Sequence, residues 1–205
     1  MSYSYPLTMP ATPEPRFHKF RLVRRQSVND SPQTGKLQIT EHLGAFWEIE
    51  LQYAPMARAT AAAWEVFFAM LHGCAGTFYC AYPDGNLRGS GLGTPVVAAG
   101  GFAADYLSVD TSGWTASEEG VLLAGDKISF SNYEFKEVIE DVDADGSGLA
   151  TVKFEPIMRS VVGTGTAIAT SGAKGIFRLL TPDIEYSSDH LMKYGIAFMA
   201  REDIS

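Results

Sequence analysis

Cysteine is scarce. Only Cys74 and Cys80 occur in 205 residues, with no CxxC and no histidine beside either. That excludes a thiolate zinc site and a disulfide-stapled fold. If Ala75 to Tyr79 is a strand, the even separation sets both thiols on one face, too far apart for a disulfide. They read as two small buried hydrophobes in a reducing compartment. Long apolar runs are also missing. None approaches the roughly 18 residues of a membrane span. The opening MSYSYPLTMPATPEPR has neither the basic nor the apolar region of a signal peptide, so synthesis and folding in the cytoplasm are expected. Positive charge is the minor sign: 16 Lys and Arg against 24 Asp and Glu give a net charge of -8. Such a balance disfavours a specific nucleic-acid surface, which needs clustered cations. The one basic cluster, Arg21 to Arg25, sits in an alternating run and reads as a solvated strand face.

Catalytic signatures are absent as well. No serine lies in a G-x-S-x-G elbow, and no G-x-G-x-x-G opens a helix after a strand. Gly89 to Gly93 lacks the lysine and hydroxyl of a phosphate loop. His18, His42, His72 and His190 are scattered beyond helical or strand spacing of one another. Glu118 and Glu119 adjoin a turn, where solvent screens them. Asp141, Asp143 and Asp145, with Gly146, imitate a calcium loop, but its twelfth position is Val152 and no helix flanks it. A hairpin turn with Asp-Gly-Ser-Gly at positive φ is the expected structure there. A cell-wall hydrolase would need an acid or nucleophile pair in a cleft, and no spacing supplies one. The chain is therefore expected to be no enzyme, with no metal and no cofactor.

What is present is punctuation: 20 Gly and 10 Pro, which favour many turns and hence many short strands. Met1 to Pro15 is a Pro-rich extended arm. Strands are expected at Phe17–Arg25, Lys36–Thr40 and Phe46–Tyr53, with a turn at Asn29–Pro32. Met56 to His72 is the one convincing helix, with Ala57, Ala61, Trp64, Phe68 and Leu71 at helical spacing and Gly73 at the left-handed C-cap. Its aromatic stripe reads as core rather than as a partner groove. Thr77–Ala81 is the next strand, and Tyr82 to Asn86 a turn. From Asp105 onward short strands recur: Tyr106–Val109, Val121–Leu123, Lys127–Phe130, Phe135–Val142, Leu149–Phe154, Thr166–Thr170, Phe177–Leu180, Ile184–Tyr186 and Leu191–Met199. Turn signals every 8 to 12 residues point to a sandwich or small barrel. The predicted fold is mainly β, an antiparallel sheet or barrel packed by one α-helix, plus a small β-barrel.

The order of these segments carries a resemblance. FWEIELQYAPM ends a first sheet, and the helix ATAAAWEVFFAMLHG follows at once. Then come the strand GTFYCAYPDG and a small-residue linker. LLAGDKISF and FKEVIEDVDADGSGLATVKFEPIMR follow, and the chain returns with GIFRLLTPDIEYSSDHLMKYGIAFMARED. This resembles the distal tail proteins and related minor tail proteins of long, non-contractile-tailed bacteriophages, over most of the chain after about residue 17. The resemblance implies a structural virion protein without enzymatic activity. It would form a homo-oligomeric ring, usually a hexamer, joining the tail tube to the tail hub and fibres at the tip. It implies a ring domain of residues 1–88 and 176–205, with an inserted OB-like barrel of residues 89–175. It also implies assembly in the host cytoplasm and DNA passing through the ring lumen, for which an acidic body suits. Interface residues are expected among Phe17, Phe20, Leu22, Arg24, Arg25 and Tyr53. The alternative is a carbohydrate- or receptor-binding module using Trp114, Tyr133 or Tyr186.

Overall fold

A computed structural model describes residues 4–83, 85, 87–184, 186–188 and 193–204. The fold is mainly β with one helix, and its strands form two sheets. The first sheet draws on both ends of the chain: β1 (Leu7–Thr8), β2 (Pro15–Asp30), β3 (Leu37–Met56), β4 (Phe78–Ala81), β10 (Lys174–Leu179), β11 (Tyr186–Ser188) and β12 (Tyr194–Glu202). Their order is β1-β4-β10-β12-β3-β2, with β11 also on β12. All pairs are antiparallel except the two-residue β1 on β4.

The helix α1 (Arg58–Leu71) lies on one face of this sheet. Trp64 and Leu71 are fully buried, and Phe67 and Phe68 nearly so. The Trp64 ring lies 4.4 Å from Tyr53, and Phe68 lies 5.1 Å from Phe198, in tilted and edge-on contacts that suit aromatic quadrupoles. Alternation in β3 explains the arrangement. Trp47, Ile49, Leu51 and Tyr53 enter the core, while Glu48, Glu50 and Gln52 take the other face. The left-handed C-cap is His72, at φ 49, with Gly73 continuing at φ 65. The cap therefore falls one residue earlier than expected, and glycine supplies the second left-handed residue. Cys74 lies in the turn after the helix rather than on a strand. Cys80 is buried on β4, and both thiols are free.

The second sheet holds β5 (Gly93–Phe102), β6 (Ser108–Trp114), β7 (Lys127–Ser129), β8 (Phe135–Val138) and β9 (Leu149–Glu155), in the order β5-β6-β9-β8-β7. It curls into a half-barrel around Val109, Leu122, Ile128, Val152 and Phe154, each with no exposed surface. The predicted strand over Thr166–Thr170 is a short bridging segment that joins the two outer strands. Ile168 N donates to Pro95 O at 3.0 Å on β5, and Ala169 N to Ser129 O at 2.8 Å on β7. This arrangement is a Greek key: β7, β8 and β9 run as consecutive antiparallel neighbours, and the later segment returns beside β7. The Ala124-Gly125-Asp126 turn is fixed by Asp126, whose buried carboxylate accepts from the backbone N–H of Arg88, Gly89 and Leu123 at 2.8–3.1 Å. At the Asp-Gly-Ser-Gly turn only Gly148 has positive φ, at 71°. A Cβ there would meet Trp114 O at 2.4 Å, so the turn needs glycine for space as well as for conformation.

Several strand ends move. The expected Lys36–Thr40 and Phe46–Tyr53 are one 20-residue strand, because a bulge opposite Val23 and Arg25 carries the ladder through His42 to Ala45. The turn moves to Ser31–Lys36, where Ser31 N donates to Lys36 O and Gly35 N to Ser31 O. Val121–Leu123 keeps only a single bridge, Leu122 to Val142. The expected turn at Asp84 and Asn86, and the expected strand residues at 191 and 192, lie outside the described residues.

Candidate assembly surface

The seven-stranded sheet ends on β2, a 16-residue edge strand. Its first half is flanked by β3 within the body. Its second half leaves the body. From Arg24 to Asp30 on β2, and from Leu37 to Leu43 on β3, every residue is exposed. Over these residues β3 has lost its other neighbour, since β12 pairs only from Glu48 onward. What projects is a two-stranded ribbon, a structure of marginal stability in water when nothing covers it.

The register assigns its faces. Asp30 opposes Leu37, Val28 opposes Ile39, and Gln26 opposes Glu41, so these side chains share one face with Leu43. Asn29, Gln38, Ser27, Thr40, Arg25 and His42 take the other, where Ser27 Oγ and His42 Nε2 lie 3.0 Å apart. The first face holds four exposed aliphatic side chains among the polar Gln26, Asp30 and Glu41: Val28 is 62% exposed, Leu37 63%, Ile39 58% and Leu43 75%. A row of four aliphatic side chains standing in solvent is the kind of patch that marks an interaction site. The ribbon is aimed by ion pairs at its base. Arg24 reaches Glu41 at 3.2 Å and, on the second sheet, Glu155 at 3.3 Å. The Arg25 guanidinium stands 5.5 Å from the Phe46 ring centroid.

The six residues expected at an interface do not form one patch. Phe20 and Leu22 pack against the first core, and Tyr53 is buried in it. Burial drives the Tyr53 hydroxyl well above the usual tyrosine range. Phe17 is 45% exposed and faces solvent, as do Arg24 and Arg25 at the base of the ribbon. The four aliphatic residues of the ribbon were missing from that set. Their signal was alternation, Leu37 and Ile39 between polar residues, which by itself reads as an ordinary half-buried strand.

The other candidate sites resolve into structural roles. Asp141 accepts from Ala124 N at 2.8 Å and Asp143 from Gly120 N at 2.7 Å. Asp145 accepts from Ser147 N and Leu149 N, which hold its carboxyl below the usual range. The three carboxylates thus serve three separate turns. Among the described residues no group of three metal-ligating side chains converges. His190 lies outside the described residues, and His18 packs edge-on against Tyr82 at 5.8 Å. Of the aromatics considered for carbohydrate, Trp114 is buried and donates to Thr111 Oγ1 at 2.8 Å. The Tyr133 ring lies tilted against Tyr79 at 4.7 Å, with the Lys174 ammonium over both rings. The side chain of Tyr186 lies outside the described residues.

The two sheets meet at a buried polar seam. The carboxylate of Glu134 accepts from Lys136 Nζ at 2.7 Å, Arg159 N at 3.0 Å and Ser160 N at 2.7 Å. Arg159 crosses to the first sheet and meets Glu202 at 3.1 Å, and Glu202 also accepts from Trp47 N at 3.1 Å. Trp47 Nε1 donates to Phe135 O at 3.2 Å, and the Phe135 ring is buried among first-sheet residues. Arg159 Nε and Glu202 Oε1 are buried in this seam without a hydrogen-bond partner among the described residues. No protein-family model matches this chain. No curated protein matches it either.

Proposed function

We propose that this chain is a structural subunit of a phage tail tip, a self-associating ring protein that joins the tail tube to the hub and fibres below it. The ring domain would comprise residues 1–88 and 176–205, with residues 89–175 as a small OB-like barrel facing outward. The observation that carries the reading is the sheet edge. β2 runs for 16 residues paired with β3 on one side and, among the described residues, with no strand on the other, and its outer half projects with β3 as a ribbon that exposes four aliphatic side chains. Charged side chains and two bulges guard the β2 edge itself, but Val28, Leu37, Ile39 and Leu43 stand in solvent on the ribbon beside it, and such exposed aliphatic side chains are the kind of surface another chain covers in an assembly. The order of elements that resembles the distal tail proteins supplies the kind of assembly. A ring of such subunits needs no chemistry of its own, which agrees with carboxylates spent on turns and an ionic seam spent on holding two sheets together.

The test is mass photometry of the purified chain, alone and then with a tail-tube protein from the same particle. Discrete hexamers, or a stoichiometric complex with the tube protein, are expected. A chain that stays monomeric across the concentration range and ignores the tube protein would sink the reading.

A further inference from the structure

We infer that the ribbon of one copy seats its apolar face on the outer face of the first sheet of the next copy, an inference that rests on the ring reading above. Every residue of the ribbon from Arg24 to Asp30 and from Leu37 to Leu43 is exposed, so its aliphatic side chains are not seated on its own sheet. The acceptor therefore belongs to a second copy. The outer face, opposite α1, offers the matching chemistry. Met199 is 49% exposed and Leu180 37% exposed, and they floor a shallow cleft of about 90 Å³. Lys19 and Arg21 rim that cleft, with Arg201 opposite Glu48 in the register.

Charge favours the same pairing. On this face the cations Lys19, Arg21 and Arg201 are exposed, whereas Glu48 and Glu50 are half-buried between them. Arg21 is paired with Glu48, which leaves Lys19 and Arg201 as the exposed cations the acceptor offers, on a chain whose net charge is -8. The ribbon's apolar row ends at Asp30 and includes Glu41 on the same face. Aliphatic side chains would meet the Met199–Leu180 floor while Asp30 meets Lys19 or Arg201, Glu41 being paired with Arg24 within the ribbon. Two different surfaces are joined, so the contact is heterologous and closes a ring when the rotation between copies allows.

The experiment uses the full chain with Ile39→Lys on the ribbon, Met199→Lys on the acceptor, and the double variant Ile39→Cys with Met199→Cys. All three positions are exposed, and circular dichroism checks that the fold is kept. Each lysine variant is expected to weaken self-association by about 30-fold in mass photometry, the loss typical of a hot-spot residue. The double cysteine variant is expected to form, under mild oxidation, a ladder of covalent multimers that neither single cysteine variant forms. If the wild-type chain assembles but both lysine variants assemble equally well and no ladder appears, the ribbon contact is wrong while the ring reading survives. If the wild-type chain neither self-associates nor binds the tube protein, both fall together.

Discussion

Lys136 has no exposed surface, and burial pulls its ammonium below the usual lysine range even though Glu134 beside it pushes the other way. A charge so placed depends on its partner. Glu134→Ala removes the carboxylate and leaves the ammonium with only Ile157 O at 2.9 Å, so a loss of about 3–5 kcal/mol in urea unfolding is expected. Lys136→Met leaves a carboxylate still served by Arg159 N, Ser160 N and Asn132 Nδ2, so about 1–2 kcal/mol is expected. Equal losses, or the reverse order, would contradict the assignment of Glu134 as the hub. Cys80 supplies a pH test. Burial raises its thiol from an ordinary value of 9.0 to about 12. A group whose pKa is raised on folding contributes its full stability below the unfolded value and loses it as pH climbs toward the folded one. Between pH 9 and pH 10.5 the protein should therefore lose about 2 kcal/mol through this thiol. Cys80→Val should lack that component. Parallel slopes for the two proteins in urea titrations at these pH values would show that the thiolate is tolerated inside.

At the scale of elements, α1 both covers the sheet and holds the N-terminal arm. Trp64 Nε1 donates to Thr12 O at 3.1 Å, and Tyr5 OH donates to Met70 O at 2.8 Å. Trp64→Ala should cost about 3–5 kcal/mol through lost packing. Trp64→Phe keeps a ring in the core and drops the donor. It should cost about 1 kcal/mol and speed amide exchange at Leu7, whose N–H bonds Thr77 O at 2.8 Å. Unchanged exchange at Leu7 would mean that β1 pairing alone secures the arm. The helix was legible in the sequence because its stripe is long and strictly periodic. The β2–β3 ribbon was legible only in fragments. Pro32 and Gly35 mark its turn, but nothing local says that Thr40 to Phe46 continues as strand, since a bulge carries the ladder there. The exposure of Val28 and Ile39 was equally hidden, because alternation marks a half-buried face without saying which molecule buries it. Bridging by Gly165 to Ala169 depends on meeting β5 and β7 from afar, and short stretches of small residues carry no such signal.

At the scale of the whole molecule, two cores of separate origin share one seam. The first is built around α1, the second inside the half-barrel, and Phe135 from β8 is buried in the first. The polar part of the seam includes Trp47 Nε1 on Phe135 O, Arg24 on Glu155 and, most buried at its acceptor, Arg159. Arg159 donates to Ala45 O and pairs with Glu202, which is 2% exposed. Replacing it by alanine leaves a buried carboxylate with Trp47 N as its remaining partner, a change of about 3–5 kcal/mol that falls on the first sheet. The half-barrel loses no packing of its own. Two lobes that unfold together in the wild-type chain should then separate in stability. Differential scanning calorimetry is expected to show a single endotherm for the wild-type chain. For Arg159→Ala it should show two, and in a parallel fluorescence melt the earlier transition should carry the emission change of Trp47 and Trp64 and the later one that of Trp114. Phe135→Leu, which keeps most of the apolar contact, should retain the single endotherm. One cooperative transition in Arg159→Ala, merely shifted down, would mean that the Phe135 packing and the remaining polar crossings couple the lobes without Arg159.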